Sequence, residues 1–293
     1  MRPGRNMDGK MQKRVFITGG SSGIGLETAK LLARQGADIA IVARQIPRLE
    51  KAKREIKSVC IRENQQVYAM PVDITKRFHI RKCAQKIMEQ WPRIDLLINN
   101  AGISWPGYLH QIPDTVWDQL IQINYLGTVN TTLAFLPFFM RQKSGHIANV
   151  ASVLGFMGVF GTSAYTASKF AVVGFSECLR QDLKPYHIDI SVFYPPDVDT
   201  PLLHEENKIK PFETAALSGK IHAMSAESAA QCLIRGIEKR QFTIIPGATS
   251  RFLYGVQRFF PGLLRFLMDR KLAGFRKQKG KQLPEKYQPK YSR

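Results

Sequence analysis

From Arg14 to about Gly247 the chain alternates short apolar runs with segments of helical periodicity, and this alternation constrains the fold most. The runs RVFITGG, ADIAIVAR, QQVYAMPVDIT, IDLLINNAG, GHIANVAS, DISVFYP and FTIIPG each read as a strand. Between them lie helix-period segments such as LETAKLLARQG, RLEKAKREIKSV and AESAAQCLIRGIEKR. Strands apolar on both sides and separated by helices predict a parallel sheet covered on both faces. The 293 residues suffice for one large α/β domain, and a hydrophobic content of 44% supplies its core. No internal repeat of solenoid period interrupts the pattern.

The first strand ends in TGGSSGIG and runs straight into a helix. Gly19, Gly23 and Gly25 let the chain's own backbone approach a ligand closely, and a helix N-terminus attracts a pyrophosphate. Thr18, Ser21, Ser22 and Ile24 complete this candidate cofactor turn. At the end of the second strand stand Ala43 and Arg44. A cofactor with a free ribose 2′-hydroxyl wants a carboxylate there, whereas a guanidinium suits a 2′-phosphate, so Arg44 favours NADP(H) over NAD. Asp73, after the third strand, is placed either to accept from an adenine amino group or to cap the next helix. Asn100, Ala101 and Gly102 close the fourth strand, where ligand crevices of parallel sheets lie. Asn124 sits inside the apolar helical stretch QINYLG and needs partners, in a structural bond or a polar relay.

Three further side chains could act together. Tyr165 and Lys169 are one helical turn apart on one face. A phenol titrates near ~10, and a nearby ammonium is expected to pull it toward neutral pH. Ser152 ends the apolar run HIANVAS, where its hydroxyl can face the phenol and hold a carbonyl oxygen between them.

In this order and spacing, TGGSSGIG, NNAG, Asn124, Ser152, Tyr165 and Lys169 resemble the short-chain dehydrogenase/reductase family over residues 14–247. The resemblance implies a single Rossmann-type, doubly wound domain of about seven strands. It implies that Tyr165 is the general acid/base, and that Ser152 orients the substrate carbonyl. Lys169 would bind the nicotinamide ribose and lower the Tyr165 pKa, and Asn124 would hold a water of the proton relay. Pro195, Val198 and Thr200 would meet the nicotinamide end of the cofactor. YPPDVDTP departs from the family, with Pro196 where glycine is common. That stretch, with HEENKIKP, is similar to a narrower subgroup that reduces 3-ketosphinganine, a long-chain lipid ketone, to sphinganine with NADPH. Another apolar alcohol or ketone, such as a steroid or retinoid, remains open. So does a non-catalytic nucleotide-binding scaffold, although such a protein need not keep all four catalytic-type side chains.

Outside the motifs, residues 1–13 read as a loose basic extension without the apolar core of a secretory signal. Residues 14–249 form the catalytic domain. Residues 201–224 carry Leu202, Leu203, Ile209, Phe212, Leu217 and Ile221 among charges, as a lid over an acyl chain or an amphipathic surface helix. His204, Glu205 and Glu206 are expected in solvent. Residues 250–293 form a basic, aromatic-rich tail holding twelve Lys/Arg against Asp269 and Glu285, half of the chain's net charge of +20. Arg251, Arg258 and Arg265 are spaced for one helical face, and Pro261-Gly262 is expected to break the segment. This composition suits a membrane interface, or packing on the body or a second subunit. It carries no nucleic-acid recognition motif. No run is long and apolar enough for a simple transmembrane helix. The four cysteines show neither a metal spacing nor a disulfide framework, and no metal site is expected. The expected place is therefore the cytoplasm, peripheral on a membrane's cytoplasmic face. The apolar stretches TTLAFLPFF and FAVVGFSECL match helices that form the family's subunit interface, which implies a homodimer or homotetramer.

Overall fold

A computed structural model describes residues 13–218 and 223–278. The basic extension before Lys13, Ile221 and the tail beyond Gln278 lie outside the described residues. The first half runs β1 (Arg14–Thr18), α1 (Gly23–Arg34), β2 (Asp38–Ala43), α2 (Ile46–Lys57), β3 (Val67–Pro71), α3 (Arg77–Gln90) and β4 (Leu96–Asn99). Then α4 (Asp114–Leu120) continues through a π-helical segment (Ile121–Leu126) into α5 (Gly127–Gln142). The second half adds β5 (Gly145–Val150), α6 (Ser163–Leu183), β6 (Ile188–Phe193), β7 (Val198–Asp199), α7 (Pro201–Ile209) and α8 (Phe212–Ser218). It closes with β8 (Met224–Ser225), α9 (Ala226–Glu238), β9 (Thr243–Ile244), α10 (Ala248–Phe259) and α11 (Pro261–Gln278).

Seven strands form one parallel sheet in the order β3-β2-β1-β4-β5-β6-β9. The expected Rossmann-type doubly wound sheet is borne out. Period-two alternation divides each strand between two cores. Val15 and Ile17 of β1 face α1, α2 and α9, where Leu32, Leu49, Ile56 and Leu233 are buried. Phe16, between them, faces α3, α5 and α6 and packs on Phe135 with ring centroids 4.5 Å apart. The strand order reverses between β1 and β4, so their connections leave on opposite faces and open a crevice at the carboxyl ends.

Two local features were not foreseen. Asn124 falls in the π-helical segment, a wider turn that functional helices use to redirect a side chain. A separate two-stranded ribbon pairs β7 with β8 and anchors the start of α7. The tail breaks at Phe260, beside Pro261-Gly262 as expected, and this corrects the single face read for its arginines: Arg251 and Arg258 share α10 while Arg265 belongs to α11. Tyr254 of α10 packs on Phe156 and Tyr194 of the body, with centroids 5.1 and 6.0 Å away, and Leu264 of α11 is buried. Among the described residues, no helix is long and apolar enough to cross a membrane.

Candidate active site

The crevice is one continuous cavity of about 860 Å³. At one end it is lined by Ser21, Ser22, Gly23, Ile24, Arg44 and Asp73. The turn after β1 has the shape expected of a phosphate cradle. Gly19 and Gly23 take φ of +66° and +54°, a left-handed region that side chains resist. A Cβ at Gly25 would lie 2.5 Å from the Asn100 amide and the Gly19 carbonyl. The twelve-residue α1 starts here with no side-chain cap on its first amides, which suits a pyrophosphate.

Asn100 and Ala101 lock this turn to β4. Both backbone N–H groups donate to Thr18 Oγ1 at 3.0 Å, and Asn100 Nδ2 donates to the carbonyls of Thr18 and Gly19 at 3.1 Å. Arg44 is exposed at the cavity's edge, and Arg48, in the first turn of α2, lines the same corner. Arg48 was missed in the sequence because it stands in a solvated charged helix like any other surface arginine. Asp73 accepts from Thr75 N at 3.0 Å and Thr75 Oγ1 at 2.8 Å. Burial works against its charge, but the Thr75 bonds and the Arg44 guanidinium hold the carboxyl below its usual range. Asp73 thus closes a local turn and does not cap α3, whose N-cap residue is Lys76 with no side-chain cap bond, while its face on the cavity stays available.

Ser152, Tyr165 and Lys169 meet near the other end. The Ser152 hydroxyl accepts from Leu154 N at 3.1 Å, which holds it at the end of β5. Tyr165 lies in the first turn of α6. Lys169 Nζ is 5.6 Å from the centre of the Tyr165 ring and donates to the Val150 carbonyl at 3.0 Å. Burial lowers the Lys169 pKa to about 8. The phenol is not drawn toward neutral pH as its lysine neighbour had suggested. Burial pushes it well above 10, the Glu206 and Asp197 charges push the same way, and only Ser152 opposes them. In this arrangement Tyr165 is a proton donor at neutral pH.

The Asn124 side chain is 1% exposed. Its Oδ1 accepts from Ile103 N at 2.8 Å, and its Nδ2 donates to the Ile103 carbonyl and Ser168 Oγ, both at 2.9 Å. Ser168 Oγ in turn donates to the Tyr165 carbonyl at 2.6 Å. The loop after β4 is thus tied through Asn124 to the start of α6. Gly102 is part of the same junction, since a Cβ there would come within 3.1 Å of Asn124 Oδ1 and 3.5 Å of Lys169 Nζ.

Pro195, Pro196, Val198 and Thr200 line the wall above the β1 turn. Thr200 Oγ1 accepts from Leu203 N at 3.4 Å as the cap of α7, and a Cβ at Gly23 would touch its methyl at 2.9 Å. The remaining wall is apolar and includes Leu203, Leu217, Leu253, Leu264, Leu267 and Met268 from α7, α8, α10 and α11. The expectation that Glu206 is solvated is wrong. His204 and Glu205 are exposed and pair with Asp199 at 2.7 Å and Lys208 at 2.6 Å, but Glu206 turns into the cavity. Burial raises its pKa, Ser104 and Lys210 oppose the rise, and Asp197 adds to it. Charge spacing in HEENK cannot say which acid faces inward; the β7–β8 ribbon sets the helix's rotation.

Residues 13–210 match the family model described as short chain dehydrogenase. The chain belongs to the short-chain dehydrogenase family. It is an oxidoreductase of that family, as the resemblance implied. It is 35% identical over 240 residues to a 3-ketodihydrosphingosine reductase of Mus musculus, covering 82% of this chain and 72% of the relative. It is also 35% identical over 237 residues to a fatty acyl-CoA reductase of Acinetobacter baylyi, covering 80% and 75%. Among solved structures, a short-chain dehydrogenase from Sphingobium yanoikuyae in complex with NADPH superposes with a TM-score of 0.72 at 27% identity, covering 88% of this chain and 95% of that one.

Proposed function

We propose that this oxidoreductase reduces the ketone of 3-ketosphinganine to the alcohol of sphinganine with NADPH. The observation that carries the reading is the single cavity that joins the Arg44–Arg48 corner, the Ser152–Tyr165–Lys169 cluster and a long apolar wall. The similarity to reductases of that substrate and to an NADPH complex supports it. When bound, NADPH supplies a hydride from nicotinamide C4 to the carbonyl carbon. The glycine turn after β1 and the N-terminus of α1 hold the pyrophosphate. Arg44 and Arg48 hold the 2′-phosphate, and Asp73 faces the adenine. Pro195, Val198 and Thr200 bound the nicotinamide end. Ser152 donates to the carbonyl oxygen, and Tyr165, protonated at neutral pH, passes its proton to that oxygen. Lys169 hydrogen-bonds the ribose and keeps positive charge near the phenolate that forms. Asn124 holds the loop and α6 in register, and would hold a relay water as the family resemblance implies.

The apolar wall of α8, α10 and α11 accommodates the hydrocarbon tail. The outer side of the last two helices exposes Phe252, Phe259, Phe260 and Phe266 beside the exposed Arg251, Arg258 and Arg265. That pairing of aromatic and basic side chains suits the surface of an anionic membrane, from whose cytoplasmic face the substrate would enter. Leu133 of α5 and Phe170 of α6, 42% and 44% exposed, are the apolar contacts of a homodimer or homotetramer. The division into a 14–249 catalytic body and a 250–293 tail then describes the tail's task, although its first helices also wall the cavity.

The test is NADPH oxidation with 3-ketosphinganine in mixed micelles. Wild-type protein is expected to turn over, and Tyr165→Phe to lose ~10²–10⁴-fold in rate. Undiminished turnover by Tyr165→Phe would remove Tyr165 from its role, and no turnover by wild type would remove the substrate. Vesicle flotation tests the membrane contact. Replacing Phe252, Phe259 and Phe266 by Ser should release the protein from anionic vesicles, and equal flotation would contradict the contact. Light scattering should give a mass of two or four chains.

A further inference from the structure

The reduction so described gives no task to Glu206. Its carboxyl lies on the cavity wall with Tyr165 and Ser104. Its charge resists ionisation of the Tyr165 phenol more than any influence except burial, and Asp197 acts in the same direction. A half-buried carboxyl on the wall of the cavity that holds the reacting phenol is a poor neighbour for a neutral ketone with a hydrocarbon tail. It disfavours the phenolate that proton transfer creates, and its own ionised form is disfavoured by burial.

The surrounding lysines do not neutralise this corner. Lys210 stands between the two acids, with Nζ 3.8 Å from Asp197 Oδ2. Lys271, also on the wall, donates to the Leu217 carbonyl at 3.0 Å and lies over the Phe275 ring. Lys169 is turned to the Val150 carbonyl. Two carboxyls therefore share one nearby lysine, and Glu206, without a salt bridge to it, is the acid in excess on the wall that also carries Tyr165.

We infer that Glu206, supported by Asp197, recognises the ammonium group on the carbon next to the substrate's ketone. This rests on the aminoketone reading above. In 3-ketosphinganine the amine and the carbonyl occupy adjacent carbons. When the carbonyl oxygen faces Ser152 and Tyr165, the ammonium stands at the edge of the site where Glu206 is. A paired Glu206 no longer opposes the phenolate, so an amine-bearing substrate both binds and reacts better than its amine-free counterpart. The head is selected by charge, the tail by apolar area.

The experiment compares two ketones: 3-ketosphinganine and 1-hydroxyoctadecan-3-one, which keeps the chain, ketone and hydroxyl but has hydrogen in place of the amine. The ratio of their kcat/KM values is read within one preparation, so the folded fraction cancels. Wild type is expected to prefer the aminoketone by at least about thirtyfold. Glu206→Gln should lower that ratio at least about tenfold, through kcat as well as KM, and Glu206→Asp should restore part of it. An unchanged ratio in Glu206→Gln, with wild-type turnover intact, overturns this inference alone. Wild type inert toward the aminoketone overturns the substrate reading and this inference with it. A measurement on wild type needs no variant: sphinganine should inhibit at least about tenfold more tightly than octadecane-1,3-diol, and equal inhibition would overturn the inference.

Discussion

Replacing Asn124 by Ala should unfasten the loop after β4 from α6. Three hydrogen bonds of 2.8–2.9 Å disappear with the carboxamide. Ser168 keeps its bond to the Tyr165 carbonyl, so the main loss falls on the N–H and C=O of Ile103, which lose their partner together. A buried backbone group without a partner costs ~1–3 kcal/mol, and two partly buried ones put the loss at about 3 kcal/mol. For a chain of this size that corresponds to a fall in Tm of roughly 6–12 °C. Urea unfolding followed by tryptophan fluorescence measures it, with the slope checked against wild type to confirm that only the midpoint moved. Because Ile103 adjoins Gly102 on the cavity wall, KM for NADPH should also rise. Asn124→Asp separates bonding from volume: it keeps the acceptor for Ile103 N but presents an oxygen to the Ile103 carbonyl, so it should recover little of the loss. Stability of Asn124→Ala within about 0.5 kcal/mol of wild type would refute the reasoning, since it would mean that the carboxamide does not bind the loop.

Three further outcomes are expected. Arg44→Ala with Arg48→Ala should reduce the preference for NADPH over NADH in kcat/KM by at least about tenfold, while Arg44→Ala alone should lose only part of it; an unchanged preference would detach both residues from the 2′-phosphate. The rate of NADPH-dependent reduction should fall as pH rises through about 8, because Lys169 loses its charge there while Tyr165 stays protonated; a flat profile from pH 7 to 9.5 would contradict this. Burial, with lesser contributions from Arg240 and Lys13, lowers the His146 pKa to about 4. Protonation therefore favours the unfolded chain, and stability present above ~6.5 is lost toward pH 4, by about 2 kcal/mol between pH 7 and 5; His146→Gln should flatten that part of the urea-midpoint profile.

Much of the site was legible because its chemistry is local. A turn of glycines between a strand and a helix, an Asn-Ala-Gly strand end and a Tyr–Lys pair one helical turn apart each need only neighbours in the chain. The Tyr165 pKa was misread for the opposite reason. The lysine neighbour is visible in the sequence, but the burial and the Glu206 charge that outweigh it arrive from other segments. Arg48 and Glu206 looked like ordinary surface charges, because which face of α2 or α7 meets the cavity depends on what packs behind each helix. The π-helical segment left no trace, since in a buried helix the apolar residues extend round most of the circumference and one added residue per turn does not disturb the pattern.

Local pattern sufficed for the succession of strands and helices, the doubly wound class and the groups at Ser152, Tyr165 and Lys169. Period-two and period-3.6 burial and steric freedom at glycine are properties of short stretches. The tertiary structure alone decided that β1 lies between β2 and β4, and that Asn124 bridges Ile103 to Ser168. It alone brought α10 and α11 back to wall a cavity that starts at the first turn of the chain. Those relations join residues tens to hundreds of positions apart. Their energies come from burial and pairing that exist only once the sheet has formed.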